Sequence, residues 1–597
     1  MSAMRELTQE EQELLEEAYG RLRIWRDSCR DIHDKAKESR QILLLNDPKQ
    51  DDAMTIRKNG KKTVQLQTLK STFNNCIADQ MDNMPEALMV PETKELESVA
   101  EDLTDVVRWV LNRNCYEKLH RARVEDCFCT GTAVTQIVWD DDMDAGNGNV
   151  AVVRWPIEAF LWDPAADNIQ DARAVFKVSW HPMSWYKEHY PDDYKDMGSD
   201  SAEYDGLGKP DAQEDSPFAD EERAMLAEYW YRHYDARKRR YTVNVAYMAG
   251  GILLENHKDV YKHGMYPFVL DVFTPIEGLP VGDGLVQELV PMMRYINRYA
   301  SYIDMNLRMS SKGRLLVDRN AGIDKDALVD WENDVIEGDR IDASALQWLQ
   351  NQPFTGMVTQ QMLQLQTDLK QDSGQNQFTR GETAGGITAA SAISALQEAG
   401  GKITRLRTAT LNQGFRDIVE QIMWLINQFY DKKRVLYITG KQVGEMKEVD
   451  ASPERLFGRK KGEALPPPPY SVQVQVQRRN PLRQQAQNEL FMQAYSMSAQ
   501  AGQIFPLSVL FELLQVDGKD RILPVLKATE TLTQQMQQMA AQIEQQTMQI
   551  QQLSEQAAGL QAVNDELMQS AGGMYAAGTA DQSTGMEGGN PIGMGAV

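Results

Sequence analysis

Gly282-Asp283-Gly284-Leu285-Val286-Gln287-Glu288-Leu289 opens the stretch whose reading decides the fold. Leu285, Leu289, Met292, Ile296, Tyr299, Ile303 and Leu307 recur in steps of three and four. That spacing lines them along one face of a helix. Arg294, Arg298, Ser301 and Arg308 fall off the stripe. A segment rich in strand formers and acids follows, from Lys312 to Phe354, and then a second helical pattern, Met357 to Leu369. Next comes a glycine-punctuated loop, Gly374 to Gly386, and a long helix that opens at Thr388, a residue suited to an N-cap. The order is helix, excursion, helix, loop, long helix.

Outward from this unit the chain changes character. Upstream, Thr8-Gln9-Glu10-Glu11 matches a capping box ahead of a helix through residue 45. Val64 to Met84 reads as a helix stopped by Pro85, and Leu96 to Arg123 as one helix continuing into Cys127. Ala133 to Trp139 alternates as a strand, Asp140 to Gly148 is its turn, and Val150 to Trp155 returns as a hairpin. A β-rich region continues to about Phe273, interrupted by an acidic insert from Pro191 to Glu222. Downstream, Arg434 to Thr439 and Val472, Val474 and Val476 read as strands, and Ile504 to Leu526 as short apolar helices.

From Leu532 to Leu567 the chain turns Gln- and Met-rich. Positions 532, 536, 539, 543, 546, 550, 553, 557, 560, 564 and 567 step by four and three, with only Gln546 and Asn564 polar. Five such heptads predict a coiled coil or helical barrel. A lone helix cannot bury this stripe, so self-association is implied. Beyond Ser570, Gly and Met dominate without period, which predicts a disordered tail over 571–597.

Composition narrows the chemistry. The 597 residues carry a net charge of −24, which argues against a surface that clings to nucleic acid everywhere. Five cysteines, none after Cys129, do not make a disulfide framework. The first thirty residues, rich in Glu and Arg, do not read as a signal peptide, and no run of about 18 apolar residues predicts a membrane span. Gly206-Leu207-Gly208-Lys209-Pro210 is too short for a phosphate loop. Cys127-Phe128-Cys129 with His120 lacks zinc-knuckle spacing and reads as buried thiols. The Asp140–Asp144 run lacks the spaced ligands of a calcium loop. No catalytic residue, cofactor or metal site is nominated. Arg294, Arg298 and Arg308 form a candidate phosphate stripe, or else pair with acids; Lys402, Arg405 and Arg407 form a second basic cluster.

Several segments carry a family resemblance. Asp163-Pro164-Ala165 with Ile169-Gln170-Asp171-Ala172-Arg173, then Tyr266-Pro267-Phe268-Val269, Pro280-Val281-Gly282-Asp283-Gly284 and Gly386-Ile387-Thr388-Ala389-Ala390-Ser391-Ala392-Ile393 resemble the portal (head-to-tail connector) proteins of tailed bacteriophages. The likeness is closest to the type of short-tailed phages and covers about residues 1–530. It implies an α+β, mainly α, portal fold assembled as a ring, with a C-terminal helical barrel or coiled coil. Its parts would be a wing (1–280), a first stem helix (281–311), a clip (312–355) and a second stem helix (356–373). A tunnel loop (374–388), the long helix with the wing return (389–485), a crown (486–530) and the barrel (531–570) would follow. Pro291 predicts a kink or a later start for the first stem helix, and Gly400-Gly401 a bend in the long one.

The resemblance further implies a ring of twelve subunits at one capsid vertex, in the virion and, during assembly, in the host cytoplasm. Genome packaging by the large terminase and later ejection would pass double-stranded DNA non-specifically through its channel. Tail or adaptor proteins, major capsid and scaffolding proteins would be partners; membrane would not. Gln375, Gln377, Arg380, Glu382, Gly385, Gly386, Lys402 and Arg405 are the expected channel residues. Leu285, Leu289, Ile296, Ile303 and Leu307 are the expected subunit-packing face, and Trp331, Asp334, Arg340 and Trp348 the clip docking surface. Two other readings compete: a coiled-coil scaffold without a DNA channel, which explains 532–567 but not the strand-rich flanks, and a metal-dependent nuclease, which explains the acidity but nominates no base or phosphate clamp.

Overall fold

A computed structural model describes residues 8–47, 49, 64–198, 204, 207–208, 223–311, 314–324, 326–327, 335, 337–339, 346–349, 356–375, 401–430, 435–439, 446–458, 465–478, 488–496, 507–514 and 519–572. The chain divides into two compact units, 1–439 with 446–480, and 440–445 with 481–597.

The first unit opens with α1 (Gln9–Leu43), started by the predicted capping box between Thr8 and Glu11. Its stripe of Ala18, Leu22, Trp25, Cys29 and Ala36 is buried, and Trp25 meets Phe176 edge-on at 5.5 Å. α2 (Thr68–Met81) is followed by β1 (Asn83–Pro91). Pro85 therefore sits inside a strand rather than merely ending a helix; the partner strand, β16 (Tyr470–Arg478), lies almost 400 residues away along the chain. The single helix expected from Leu96 is two: α3 (Glu97–Arg113) and α4 (Tyr116–Thr130). Cys115 breaks them with a left-handed φ of 49°. Asn114 fixes the break, donating to the Val110 and Val150 carbonyls and accepting from Val152 N–H.

The predicted hairpin is β2 (Thr132–Asp140) with β3 (Asn149–Trp155); β9 (Phe268–Val272) completes that sheet in the order β3-β2-β9. A five-stranded antiparallel sheet runs in sequence order through β4 (Phe160–Trp162), β5 (Ala174–Pro182), β6 (Arg223–Asp235), β7 (Arg240–Ala249) and β8 (Ile252–Tyr261). The short helix α5 (Met183–His189) follows β5. The signature Asp163-Pro164-Ala165…Arg173 closes on itself: Arg173 binds Asp163 through two nitrogens at 2.7 and 3.1 Å. Those hydrogen bonds hold the Asp163 carboxyl below its ordinary range.

β10 (Thr274–Pro275) and β11 (Gly282–Asp283) form a small ladder before α6 (Leu285–Ser311). α6 spans the predicted first helix from Leu285 onward, with Pro291 inside it. β12 (Arg314–Val317) pairs with β13 (Leu346–Leu349), then come α7 (Gly356–Asp372) and α8 (Lys402–Phe429). β14 (Val435–Thr439) pairs with β15 (Met446–Asp450), a strand the sequence reading missed, and α9 (Pro453–Phe457) leads to β16.

Two cores hold this unit. One joins α1, α3, both larger sheets and the C-terminal half of α8; the other joins α2, α4, α6, α7 and Leu411 of α8. The second unit holds α10 (Leu507–Leu513) and α11 (Lys519–Gly572). Ser508 N–H donates to Glu530 at 2.9 Å, tying α10 to α11. α11 starts well before the predicted heptads and runs through Pro524. Among the described residues, no helix is long and apolar enough to cross a membrane.

Candidate channel-forming unit and its anchors

α6 springs from a joint where backbone meets backbone. A Cβ on Gly131 would sit 2.0 Å from the Gly282 carbonyl oxygen, and one on Gly284 would sit 2.7 Å from Gly131 N. Gly282 has the Thr274 oxygen 2.2 Å from where its Cβ would be, and its N–H donates to Thr132 Oγ1 at 3.0 Å. Gly282-Asp283-Gly284 is thus the place where the helical pair is bolted to β2 and β10, and only glycine leaves room for it.

Along α6 the predicted packing stripe divides. Leu285, Leu289 and Ile296 are buried within the chain itself, against residues such as Leu69, Val124 and Leu369. They are core, not a free face for a neighbour, because α2 and α4 cover them; a one-dimensional stripe does not say what lies over it. Ile303 is half-buried and Leu307 exposed. A different apolar row is open: Tyr295, Tyr302 and Met305 on α6, with Met357 and Leu363 on α7. Arg294 is not a free phosphate contact either. It binds Asp47 at 2.9 and 3.0 Å and Glu38 at 2.5 Å within the same chain, and those bonds raise its pKa further. Asn297 and Ser301, off the apolar stripe, accept the backbone N–H groups of Leu66 and Val64.

The start of the glycine loop is pinned, and α8 is tied to it. α7 terminates at Gly374, whose φ of +83° requires glycine, and Gln375 N–H returns to the Lys370 carbonyl at 2.9 Å. Gln375, expected in the channel, is buried and donates to Asp79 at 2.7 Å. From α8, Arg407 donates to the Ser373 carbonyl at 2.8 Å and lies over the Phe128 and Phe273 rings. Arg407 therefore ties α8 to the C-terminal end of α7, a role its sequence position beside Lys402 and Arg405 did not disclose. Lys402 and Arg405 are exposed on the first turns of α8. Gln377, Arg380, Glu382, Gly385 and Gly386 lie outside the described residues, as do Trp331, Asp334 and Arg340; Trp348 is on β13, opposite Leu315.

Deeper in, α4 is locked to the sheet by a fully buried ion pair, on which α8 packs. Arg123 on α4 binds both oxygens of Asp271 on β9 at 2.9 and 2.8 Å, with neither side chain exposed. Burial works against the guanidinium charge, but Asp271 and Tyr116 outweigh it, so Arg123 keeps its proton. Gly414 of α8 packs on this pair: a Cβ there would lie 1.8 Å from Asp271 Oδ1. His120, one turn before Arg123, is buried with its Nδ1 unpartnered among the described residues. Burial, then the Arg123 charge, lowers its pKa to about 3. Cys127 and Cys129, expected as buried thiols, are buried, and His120 is buried on the same helix; among the described residues no cluster of metal-ligating side chains forms.

The family model for phage P22-like portal proteins matches residues 19–573. The chain belongs to that family. The match runs from α1 through the whole helix, hairpin, helix and long-helix unit to the end of α11, in a mixed α/β, mostly helical chain. No curated protein matches the chain significantly. Membership gives it the role of a phage portal protein, a structural component rather than an enzyme class, associated with the capsid vertex.

Proposed function

We propose that about twelve copies of this chain form a ring at one capsid vertex, through whose channel double-stranded DNA is packaged by the terminase and later ejected. The observation that carries the reading is the family match over an ordered unit of α6, the β12–β13 hairpin, α7 and α8. In this reading α6 and α7 are the stem, the hairpin segment is the clip that meets the motor and then the tail adaptor, and 374–388 is the tunnel loop. The sheets are the wing and 486–530 the crown. Tyr295, Tyr302, Met305 and Leu307 supply the packing face for a neighbouring subunit, since they are exposed in the single chain.

The heptad stripe of α11 is equally uncovered: Leu532, Met536, Ile543, Ile550, Leu553 and Leu560 are each at least 60% exposed. At 1.5 Å per residue the 54-residue helix is about 81 Å long. Burying that stripe against copies of itself supports a helical barrel. The channel wall must adhere weakly, because each firmly neutralised phosphate adds to binding and to drag; a net charge of −24 suits that demand. Arg380, with Lys402 and Arg405, supplies transient contacts.

Negative-stain images of the purified protein test the reading. Rings with a central hole of roughly DNA width, about 20 Å or more, are expected. Rods would favour the coiled-coil scaffold, and monomers with Mg²⁺-dependent cleavage would favour a nuclease.

A further inference from the structure

β6 and β7 extend past the rest of their sheet. β5 pairs with β6 only as far as Tyr231, and β8 meets β7 only from Val243. Beyond those points the two strands stand as an antiparallel ribbon, with His233 opposite Thr242, Tyr234 opposite Tyr241 and Asp235 opposite Arg240. The tip reads Tyr234-Asp235-Ala236-Arg237-Lys238-Arg239-Arg240-Tyr241: four consecutive cations between two tyrosines, in a chain where acids outnumber Lys and Arg by 87 to 63.

The nearby carboxylates do not balance this run. Asp235 accepts the backbone N–H groups of Arg237 and Lys238 at 2.9 and 3.2 Å, the local bonds that shape the turn. Asp259 is shared by Lys238, Arg240 and Lys262, at 2.7, 3.3 and 2.9 Å. Lys238 also reaches Asp235 at 3.7 Å, so the four cations of the run and Lys262 face two carboxylates. Arg237 and Arg239 are exposed and, among the described residues, have no ion-pair partner. Tyr234 and Tyr241 stand 51% and 60% exposed with their rings edge to face at 5.2 Å. The tip is thus rich in donors: guanidinium, ammonium and phenol groups.

Shape chooses among polyanions. Arginine clusters recognise acidic peptides as well as phosphates, so the backbone that carries the cations has to separate the two. The tip is a two-stranded ribbon, with the 259–264 segment beside its β7 strand. The duplex fits that ribbon: a major groove about 12 Å wide admits a two-stranded β-ribbon, with phosphates on both walls. We propose that the β6–β7 ribbon tip, residues 234–241, docks on duplex DNA through its phosphate backbone, with Arg237 and Arg239 as the principal contacts. The contact is sequence-independent, since phosphates carry no base information. It is separate from any channel: a ribbon tip binds duplex whether or not the duplex is threaded.

Closed circular duplex, which cannot thread a ring, isolates this contact. Filter binding with the full chain compares wild type with Arg237→Glu/Arg239→Glu, across a salt series and against single-stranded DNA and polyglutamate. Two phosphate contacts contribute a slope of about −1.8 in log K against log salt, so their share falls about tenfold between about 50 and 200 mM. The double reversal is expected to weaken circular-duplex binding about tenfold or more at 50 mM salt and to flatten the slope by about two. Subunit assembly and the thermal transition should stay unchanged, because both side chains are exposed. Unchanged duplex affinity would overturn the proposal. So would single strands bound more tightly than duplex, or polyglutamate bound as well as duplex and lost equally on reversal.

Discussion

Gly414→Ala should destabilise the protein although alanine is the better helix former. In an open helix interior this change gains about 1 kcal/mol. Here the new Cβ would lie 1.8 Å from Asp271 Oδ1, 2.9 Å from its Cγ and 3.2 Å from Arg123 Nη2. Ordinary contact needs about 3.4 Å, so either α8 retreats by about 1.5 Å or Asp271 gives up a bond to Arg123. Overpacking costs about 1–3 kcal/mol. Losing one arm of a buried charged pair adds about 1.5–3 kcal/mol. The net expectation, after the propensity gain, is about 1.5–5 kcal/mol. Asp271→Ala, which strands a buried guanidinium, should cost about 3–5 kcal/mol. The informative variant is the double. With the carboxylate gone, the alanine methyl has space, and Gly414→Ala should become neutral or stabilising in the Asp271→Ala background. Urea unfolding followed by tryptophan fluorescence reads all four proteins; Trp139, stacked on Phe429 of α8 at 5.0 Å, reports on this helix directly. Additive effects, within about 0.5 kcal/mol, would refute the idea that Gly414 exists to make room for the Arg123–Asp271 pair.

Acid should loosen the same region through His120. Its folded pKa of about 3 keeps it neutral, whereas the unfolded chain takes up the proton below about 6.5, so stability falls as pH drops from 6.5 toward 3. At about pH 5 the loss is about 2 kcal/mol, and His120→Gln should remove that share of the slope in pH-dependent unfolding; an unaltered slope would count against it. Leu553→Glu/Leu560→Glu, placed on the exposed stripe of α11, should leave the first unit's thermal transition in place and abolish association through α11. Light scattering would show a smaller particle, or, if the stripe has no partner, the same one. Gly385→Pro or Gly386→Pro should leave ring assembly intact and lower DNA packaging, because proline removes backbone freedom that glycine gives the loop; full packaging by both variants would argue that loop rearrangement is not needed.

Much was readable from local pattern. The capping box at Thr8, the alternation of β2 and β3, the extent of α6 and α7 and the terminating glycine at 374 depend on residues within a few positions of one another. Periodicity and caps act at that range, so sequence reports them. The order of these elements also sufficed to suggest the portal family. Less legible was what each face meets. Leu285, Leu289 and Ile296 carry the same pattern whether they face a neighbour or α2 and α4. Arg294 looks free until Glu38 and Asp47 arrive from about 250 residues upstream. The strand after α2 escaped notice because its partner β16 lies almost 400 residues away, and β15, although its partner β14 is close by, is a five-residue Met-Lys-Glu-Val-Asp segment without a clear apolar alternation.

By itself, then, the sequence determined where helices and hairpins form and that α11 carries an apolar heptad stripe, since propensity, capping and hydrophobic period are written in neighbouring residues. Only the tertiary structure decided which glycines are indispensable, which arginines are spent and which remain available. Gly131, Gly282 and Gly414 matter because backbone or a buried carboxylate approaches within 2.2 Å of where a Cβ would be. Arg123 is consumed by Asp271, while Arg237 and Arg239 are left open at the end of a ribbon. Packing distance and charge neutralisation are properties of residues brought together from far apart, and no window along the chain contains both partners.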